Sequence, residues 1–193
     1  MNRPFAISLA PLLLVPLLHV SPAAADALSE SAGRYAITSS SSIEFSVSQV
    51  GGGGIRGRFP DFSGQFLITA PKLEGSRVDF ALAPGTVSTG QARVESFLKS
   101  SAVFDATRFP QITFTSRSVK RTGENSAVID GVLHARDHSF KAQFQATLVE
   151  RTKRGIVFHV TGKVPRAPFG MGIGVPIYSN DVYFDMTLRG RRR

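Results

Sequence analysis

The sequence contains no cysteine and no tryptophan, and only 14 of its 193 residues are acidic. Without cysteine the chain forms no disulfide bond, and it lacks the residue that a bacterial lipoprotein carries directly after its signal sequence. Beyond residue 25 no apolar run approaches the roughly 20 residues of a membrane-spanning helix. The sequence therefore predicts a soluble mature domain of ordinary size whose stability comes from its core alone.

The first 25 residues have the pattern of a cleaved secretory signal peptide. Arg3 supplies a positive charge, residues 5–20 are apolar, and Ala23-Ala24-Ala25 provides a small-x-small cleavage site. A membrane anchor is the alternative, but an apolar run of about 16 residues is shorter than a spanning helix needs. We expect export to the periplasm or secretion, with residues 26–34 as a flexible lead-in; a domain without disulfides fits a bacterial periplasm better than a eukaryotic exterior.

Basic residues outnumber acidic ones by 23 to 14, which gives a formal net charge of +9. Part of the excess lies in a basic tail over residues 190–193, which contains Arg191, Arg192 and Arg193. An exported protein rarely meets nucleic acid, so we expect these arginines either to contact anionic lipid head groups or to form a solvated terminus.

Apolar and polar residues alternate along most of the chain, and many of the 15 phenylalanines occupy the apolar positions. A period of two places one set of side chains on one face of an antiparallel sheet. Glycine- and proline-containing turn signals separate the runs, and we count about eight to ten strands. The alternation fits both a sandwich and a barrel. The clearest runs are residues 43–48, 78–82, 112–114, 140–148, 156–160 and 182–188.

Residues 91–104 depart from the alternation. Val94, Phe97, Leu98 and Phe104 have helical spacing, so this stretch predicts one or two short helices. Such a segment would form a lid over one end of a barrel or cover a sheet edge.

Thirteen residues carry a family resemblance: Phe104-Asp105-Ala106-Thr107-Arg108-Phe109-Pro110-Gln111-Ile112-Thr113-Phe114-Thr115-Ser116 resembles the FDA-x-x-(Y/F)-P-x-I-x-F-x-S signature of the YceI-like family. Ile43-x-Phe45-x-Val47 and Phe169-Gly170-Met171 are similar to other stretches of that family. The resemblance implies one domain over residues 35–189. It implies an all-β fold, an extended lipocalin-like antiparallel β-barrel of about eight strands with one or two short helices.

The family resemblance also implies a function, the binding of a polyisoprenoid or similar long-chain amphiphile in a tunnel through the barrel. Many members carry histidines where this chain has Ser41-Ser42 and Gln49, so the head group of the ligand stays open. We expect a bound lipid, isoprenoid or quinone-like, and no other cofactor. The predicted tunnel lining, for which ordinary core packing is the alternative, is Phe45, Val47, Phe66, Phe80, Leu82, Phe97, Phe114, Phe144, Phe158, Phe184 and Met186.

Catalysis is not expected. His134, His138 and His159 are predicted to be surface residues, and the chain has neither a G-x-S-x-G nucleophile motif nor a metal-binding pattern. The main expectation is a carrier or store for a long-chain lipid. The alternatives are an envelope stress or interaction protein whose cavity is structural, and an accessory of electron transport that delivers a quinone. Both a monomer and a homodimer fit the sequence.

Overall fold

The computed structural model describes residues 27–193, so the predicted signal peptide over residues 1–25 lies outside the described residues. Ten strands form one antiparallel sheet, with two α-helices beside it. The strands are β1 (Gly33–Ile37), β2 (Ser42–Ser48), β3 (Gly54–Arg58), β4 (Phe62–Ile68), β5 (Arg77–Leu82), β6 (Ile112–Arg121), β7 (Ser126–Ala135), β8 (His138–Arg151), β9 (Gly155–Pro165) and β10 (Asp181–Arg192). The helices are α1 (Ala27–Glu30) and α2 (Ala92–Lys99), and single 3-10 turns cover Leu73–Gly75, Pro84–Thr86 and Ala167–Phe169.

The sheet closes on itself because β1 pairs with both β4 and β10. β1 and β2 lie end to end along β10, where Ile37 is opposite Gly190 and Ser42 is opposite Thr187. β3 and β4 lie end to end in the same way beside β2 and β1. The ten strands therefore occupy eight positions around a closed barrel. This confirms the predicted antiparallel barrel of about eight strands with one or two short helices; α2 lies in the predicted stretch, whereas α1 was not predicted.

The period of two in the sequence becomes an inside and an outside of the barrel. In β8, Ala142, Phe144, Ala146 and Leu148 are buried while the residues between them are exposed. Because neighbouring strands are in antiparallel register, buried positions of adjacent strands meet on the inner face. The alternating pattern thus fixes which side chains point inward.

The two ends of the barrel differ. The α1 end carries α1 and the turns β4–β5, β6–β7 and β8–β9, and Leu28 and Leu73 are buried there. The α2 end carries α2, the segment over residues 166–180 and the turn over residues 49–53. The helix predicted within residues 91–104 is α2, which therefore covers an end of the barrel.

The described part of the predicted flexible lead-in, residues 27–34, instead forms α1 and the start of β1. Leu28 is 2% exposed and Ser31 is fully buried. The Tyr35 hydroxyl donates a hydrogen bond to the Ser31 carbonyl at 2.8 Å. Burial of Leu28 under the barrel orders this segment, which the polar composition of residues 26–34 does not reveal.

The predicted basic tail over residues 190–193 also differs in the structure, because β10 extends to Arg192. Arg191 pairs with Ala36, and Arg192 pairs with Tyr35. The Arg192 guanidinium donates to the Ala32 carbonyl at 3.0 Å and to the Tyr35 hydroxyl at 2.9 Å. These residues close the barrel, since they supply the β10 edge to which β1 bonds.

Candidate functional site

A cavity of about 580 Å³ lies inside the barrel. It extends from Leu28 and Leu73 at the α1 end to Phe97 and Ile173 at the α2 end. Its wall, as formed by residues 27–193, is apolar apart from a glycine and four polar side chains, and this part of the chain contributes no carboxylate and no imidazole to it. The four polar side chains are Ser76, Arg93, Arg166 and Tyr178.

All eleven residues predicted to line a tunnel lie on the wall of this cavity. They come from seven strands and from α2, so only the closed barrel brings them together. They are Phe45, Val47, Phe66, Phe80, Leu82, Phe97, Phe114, Phe144, Phe158, Phe184 and Met186.

Several rings lie against inward-facing glycines of neighbouring strands. Gly162 is opposite both Phe144 and Phe184 in the strand register. A Cβ atom placed on Gly162 would lie 2.3 Å from Cδ1 of Phe144, and one on Gly57 would lie 2.8 Å from the Phe45 ring. The missing side chains leave room for these rings at the wall, which keeps the centre of the barrel free for a ligand.

Contacts between rings fix the wall further. Phe144 packs edge-on against Phe114, with ring centroids 5.1 Å apart, and against Phe184 at 6.2 Å. Phe66 packs edge-on against Phe158 at 5.8 Å. Such pairs contribute roughly 0.5–1.5 kcal/mol beyond area burial and give the cavity a stiff surface.

The cavity opens at the α2 end. There the lining residues Phe97 and Ile173 are 44% and 50% exposed, whereas Leu28 and Leu73 at the α1 end are 2% and 4% exposed. The mouth therefore lies between α2 and the loop over residues 171–179, and the α1 end is closed.

The first turn of α2 is tied to the preceding loop by Glu95. Its carboxylate accepts hydrogen bonds from the backbone N–H groups of Thr89 at 2.7 Å and Gly90 at 3.0 Å. The Thr89 hydrogen bond is the main cause that holds the pKa of Glu95 below its ordinary value. The neighbouring Arg93 is exposed at the mouth and makes no hydrogen bond or ion pair within residues 27–193.

Arg166 organises the other side of the mouth. It is 9% exposed, and its guanidinium donates to the carbonyl oxygens of Ile173 at 2.8 Å and Ser179 at 2.9 Å. It also donates to the carbonyls of Met171 and Tyr178. Burial lowers the pKa of this guanidinium. No carboxylate among residues 27–193 forms an ion pair with Arg166, so the mouth holds two arginines without an anionic partner.

The sequence prediction missed part of the wall. Ile43 and Phe59 line the cavity, as do Phe169 and Met171 from the segment over residues 166–180 at the α2 end. Ile43 continues the alternation of Phe45 and Val47, so the sequence pattern could have predicted its place on the wall. The residues of that segment have no periodicity, so only their contacts in the fold place them on the cavity.

The histidines lie outside the cavity, as predicted. His134, His138 and His159 are exposed. Nδ1 of His134 is 2.9 Å from Oγ of Ser139, and Nε2 of His159 is 2.9 Å from Oδ1 of Asp185. Residues 27–193 contain no group of three or more side chains arranged to hold a metal ion. None of the helices within this range has the length and apolar character to cross a membrane.

Comparisons with known sequences agree with the geometry. A model of the YceI-like domain matches residues 35–189. Curated relatives include UPF0312 proteins of Pseudomonas savastanoi pv. phaseolicola, 33% identical over 110 residues, and of Shewanella baltica, 33% identical over 121 residues. The alignments cover 57% and 63% of this chain. The chain spans 55% and 59% of the lengths of these relatives.

Solved structures resemble the barrel as well. Burkholderia cenocepacia BcnA superposes with a TM-score of 0.73 at 19% identity, over 79% of this chain and 98% of that one. A polyisoprenoid binding domain of Saccharophagus degradans, implicated in plant cell wall breakdown, gives 0.66 at 14% identity, over 84% and 99%. At these identities the likeness establishes a shared fold.

Proposed function

The chain belongs to the YceI-like family, and on this premise we propose that it binds a long-chain isoprenoid or a similar amphiphile inside the barrel. The observation that carries the proposal is the continuous apolar cavity, closed at the α1 end and open at the α2 end. The polyisoprenoid-binding domain with the same fold supports it.

The apolar wall supplies the affinity. Each methylene moved from water to an apolar site gains roughly 0.8 kcal/mol. The gain grows with chain length until the cavity is full, and an elongated cavity favours a slender chain over a bulky ligand. Because the wall offers no acid–base pair, we propose binding and not catalysis.

The mouth suits the polar head of the ligand. An apolar chain that enters from the α2 end leaves its head beside Arg93, which has no other partner among residues 27–193. Arg166 and the Tyr178 side chain also face the cavity at this end. An anionic head would gain charge-assisted hydrogen bonds there. We therefore propose an anionic amphiphile ahead of a neutral one such as a quinone.

The proposed role is to hold or carry this lipid in the periplasm. The signal-peptide pattern of residues 1–25 supports that location. The described helices include no candidate membrane span.

Mass spectrometry on the purified protein, once native and once after organic extraction, tests the proposal. We expect a stoichiometric long-chain lipid, or uptake of polyprenyl phosphates when they are offered. An empty protein that refuses these lipids would contradict the proposal and favour an envelope interaction protein with a structural cavity. A bound quinone would identify the electron-transport alternative.

Two variants test whether the hydrocarbon chain of the lipid lies inside the barrel. Ala146 lines the cavity and is 5% exposed, so Ala146→Leu should shorten the longest chain that binds. Gln145→Leu is the matched control, because Gln145 lies on the same strand and is exposed on the outer face. Native mass spectrometry with lipids of increasing chain length measures the longest lipid that each variant binds. An equal effect of both variants would argue against binding in the barrel.

A third variant tests whether the polar head group of the lipid lies beside Arg93. Arg93→Gln should weaken binding of a polyprenyl phosphate by about tenfold, as expected for the loss of one charge-assisted hydrogen bond of about 1.5 kcal/mol. Binding of the matching uncharged polyprenol should not change. Equal loss for both lipids would show that the head lies elsewhere.

A further inference from the structure

The positive charge of the protein is concentrated at the α1 end of the barrel. The turn between β8 and β9 carries Arg151, Lys153 and Arg154, and residues 189–193 at the end of β10 carry four arginines. Arg191 of β10 is opposite Gly155, the first residue after this turn. Seven cations therefore come together although some 35 residues of sequence separate the two groups.

Five further cations surround this cluster. Arg34 is the second residue of β1, Lys72 lies in the β4–β5 turn, Arg77 begins β5, and Lys120 and Arg121 end β6. Among residues 27–193 the same end holds four carboxylate side chains, which belong to Glu30, Glu74, Glu124 and Glu150. The α1 end thus has eight positive charges in excess, while ten cations and nine carboxylates nearly balance over the other described residues.

Some cations of the basic end form contacts within the protein, while others have exposed side chains. Arg151 forms an ion pair with Glu30 of α1, and Arg192 donates to Ala32. The side chains of Lys153, Arg154 and Arg191 are exposed and make no hydrogen bond or ion pair within residues 27–193. These three side chains are free to meet an external anion.

We propose that the α1 end docks on an anionic lipid surface. From sequence, such a contact was one of two alternatives for Arg191, Arg192 and Arg193, the other being a solvated terminus; the proposal extends it to the whole end of the barrel. The cations stand on five separate turns and strand ends around the barrel rim, so a flat anionic surface contacts them together.

Docking through the α1 end fixes the orientation of the barrel on the lipid surface. With the α1 end on the lipid surface, the mouth at the α2 end faces away from it, toward the aqueous space. Arg93 and the exposed Phe97 are then accessible to a soluble partner while the protein is bound. The docking surface lies outside the cavity, so this proposal does not rest on the identity of a bound lipid.

Co-sedimentation with vesicles tests the docking. The probes are vesicles of phosphatidylcholine alone and of phosphatidylcholine mixed with phosphatidylglycerol, at low and at high salt. We expect binding to the mixed vesicles only, weakened by salt because screening shortens the range of exposed charges to about 10 Å at 0.1 M. Binding that is equal on both vesicle types, or absent from both, would overturn the proposal.

The test variant is Lys153→Gln/Arg154→Gln/Arg191→Gln. Each cation near an anionic lipid surface contributes about fivefold to partitioning, so we expect a loss on the order of 100-fold. The matched control, Arg56→Gln/Arg58→Gln/Lys141→Gln, removes three exposed cations from other parts of the barrel. It should retain most of the binding. Equal losses would overturn the proposal and point to net charge alone.

Two controls are needed: a check that the variants are folded, and a comparison with other polyanions. Circular dichroism and thermal unfolding should show both triple variants folded, because none of the six side chains is buried. Double-stranded DNA and a polyglutamate peptide are offered at the same salt. Tighter binding of either polyanion than of the mixed vesicles would overturn a lipid surface as the partner.

Discussion

Gly162→Ala perturbs the arrangement that keeps the barrel hollow. The new Cβ atom would lie 2.3 Å from Cδ1 and 2.7 Å from Cε1 of Phe144, and 3.1 Å from the carbonyl oxygen of Gln143. The ring of Phe144 cannot retreat outward, because the strand backbone lies behind it. It must turn toward the centre of the barrel, away from its edge-on contacts with Phe114 and Phe184.

The expected free-energy change combines two opposing terms. Overpacking of a well-packed wall costs about 1–3 kcal/mol. Replacement of glycine in a strand returns roughly 0.5–1 kcal/mol of backbone entropy. We expect a net destabilisation of about 1–2 kcal/mol, which lowers the Tm by roughly 2–8 °C for a domain of this size.

Thermal and urea unfolding measure this difference, with Gly85→Ala as the control. A Cβ atom on Gly85 meets only Cβ of Ala106 at 3.7 Å, an ordinary contact. The double variant Gly162→Ala/Phe144→Leu should recover part of the lost stability, with a coupling energy of about 0.5–3 kcal/mol. A Gly162→Ala protein as stable as the parent, with unchanged lipid uptake, would refute the idea that glycine holds the ring at the wall.

Three other substitutions probe the ends of the barrel. Leu28→Ala should destabilise the protein by about 2–5 kcal/mol in urea unfolding, since Leu28 is buried and closes the cavity; a change below 1 kcal/mol would mean that α1 adds little. Arg166→Met leaves four carbonyl oxygens without their donor, so limited proteolysis should cut residues 171–179 faster than in the parent, and an unchanged pattern would count against this role. The stabilisation by Glu95 is complete above its ordinary pKa of 4.5 and is lost as the pH falls through its lowered folded-state pKa. Glu95→Gln should therefore flatten the acid side of the stability–pH curve, and a parallel curve would contradict the assignment.

Much of the fold could be predicted from local sequence. The alternation along β8 gives a strand with one buried face, and residues 91–104 contain α2. The signature over residues 104–116 contains a local turn, in which Asp105 has a φ of 47° and its carbonyl accepts from the N–H of Phe109 at 2.9 Å. Such features depend on neighbours in the chain, so the sequence pattern reveals them.

The mouth and the α1 end could not be predicted in this way. Residues 26–34 are small and polar, yet Leu28 packs under the barrel. Residues 190–193 look like a basic tail, yet Arg192 pairs with Tyr35 from the other end of the domain. The hydrogen bond from Arg192 to Tyr35 joins residues 157 apart in the sequence, and no local pattern specifies such a pairing.

By itself the sequence determined the inward face of the alternating strands, the position of α2, the family and the apolar character of the interior, because these follow from the spacing of neighbouring residues. Only the tertiary structure decided that the sheet closes through β1 and β10, that Gly162 lies beneath Phe144, and that twelve cations gather at the end opposite the mouth. These arrangements follow from strand register and barrel closure, and both depend on pairing between segments that are remote along the chain.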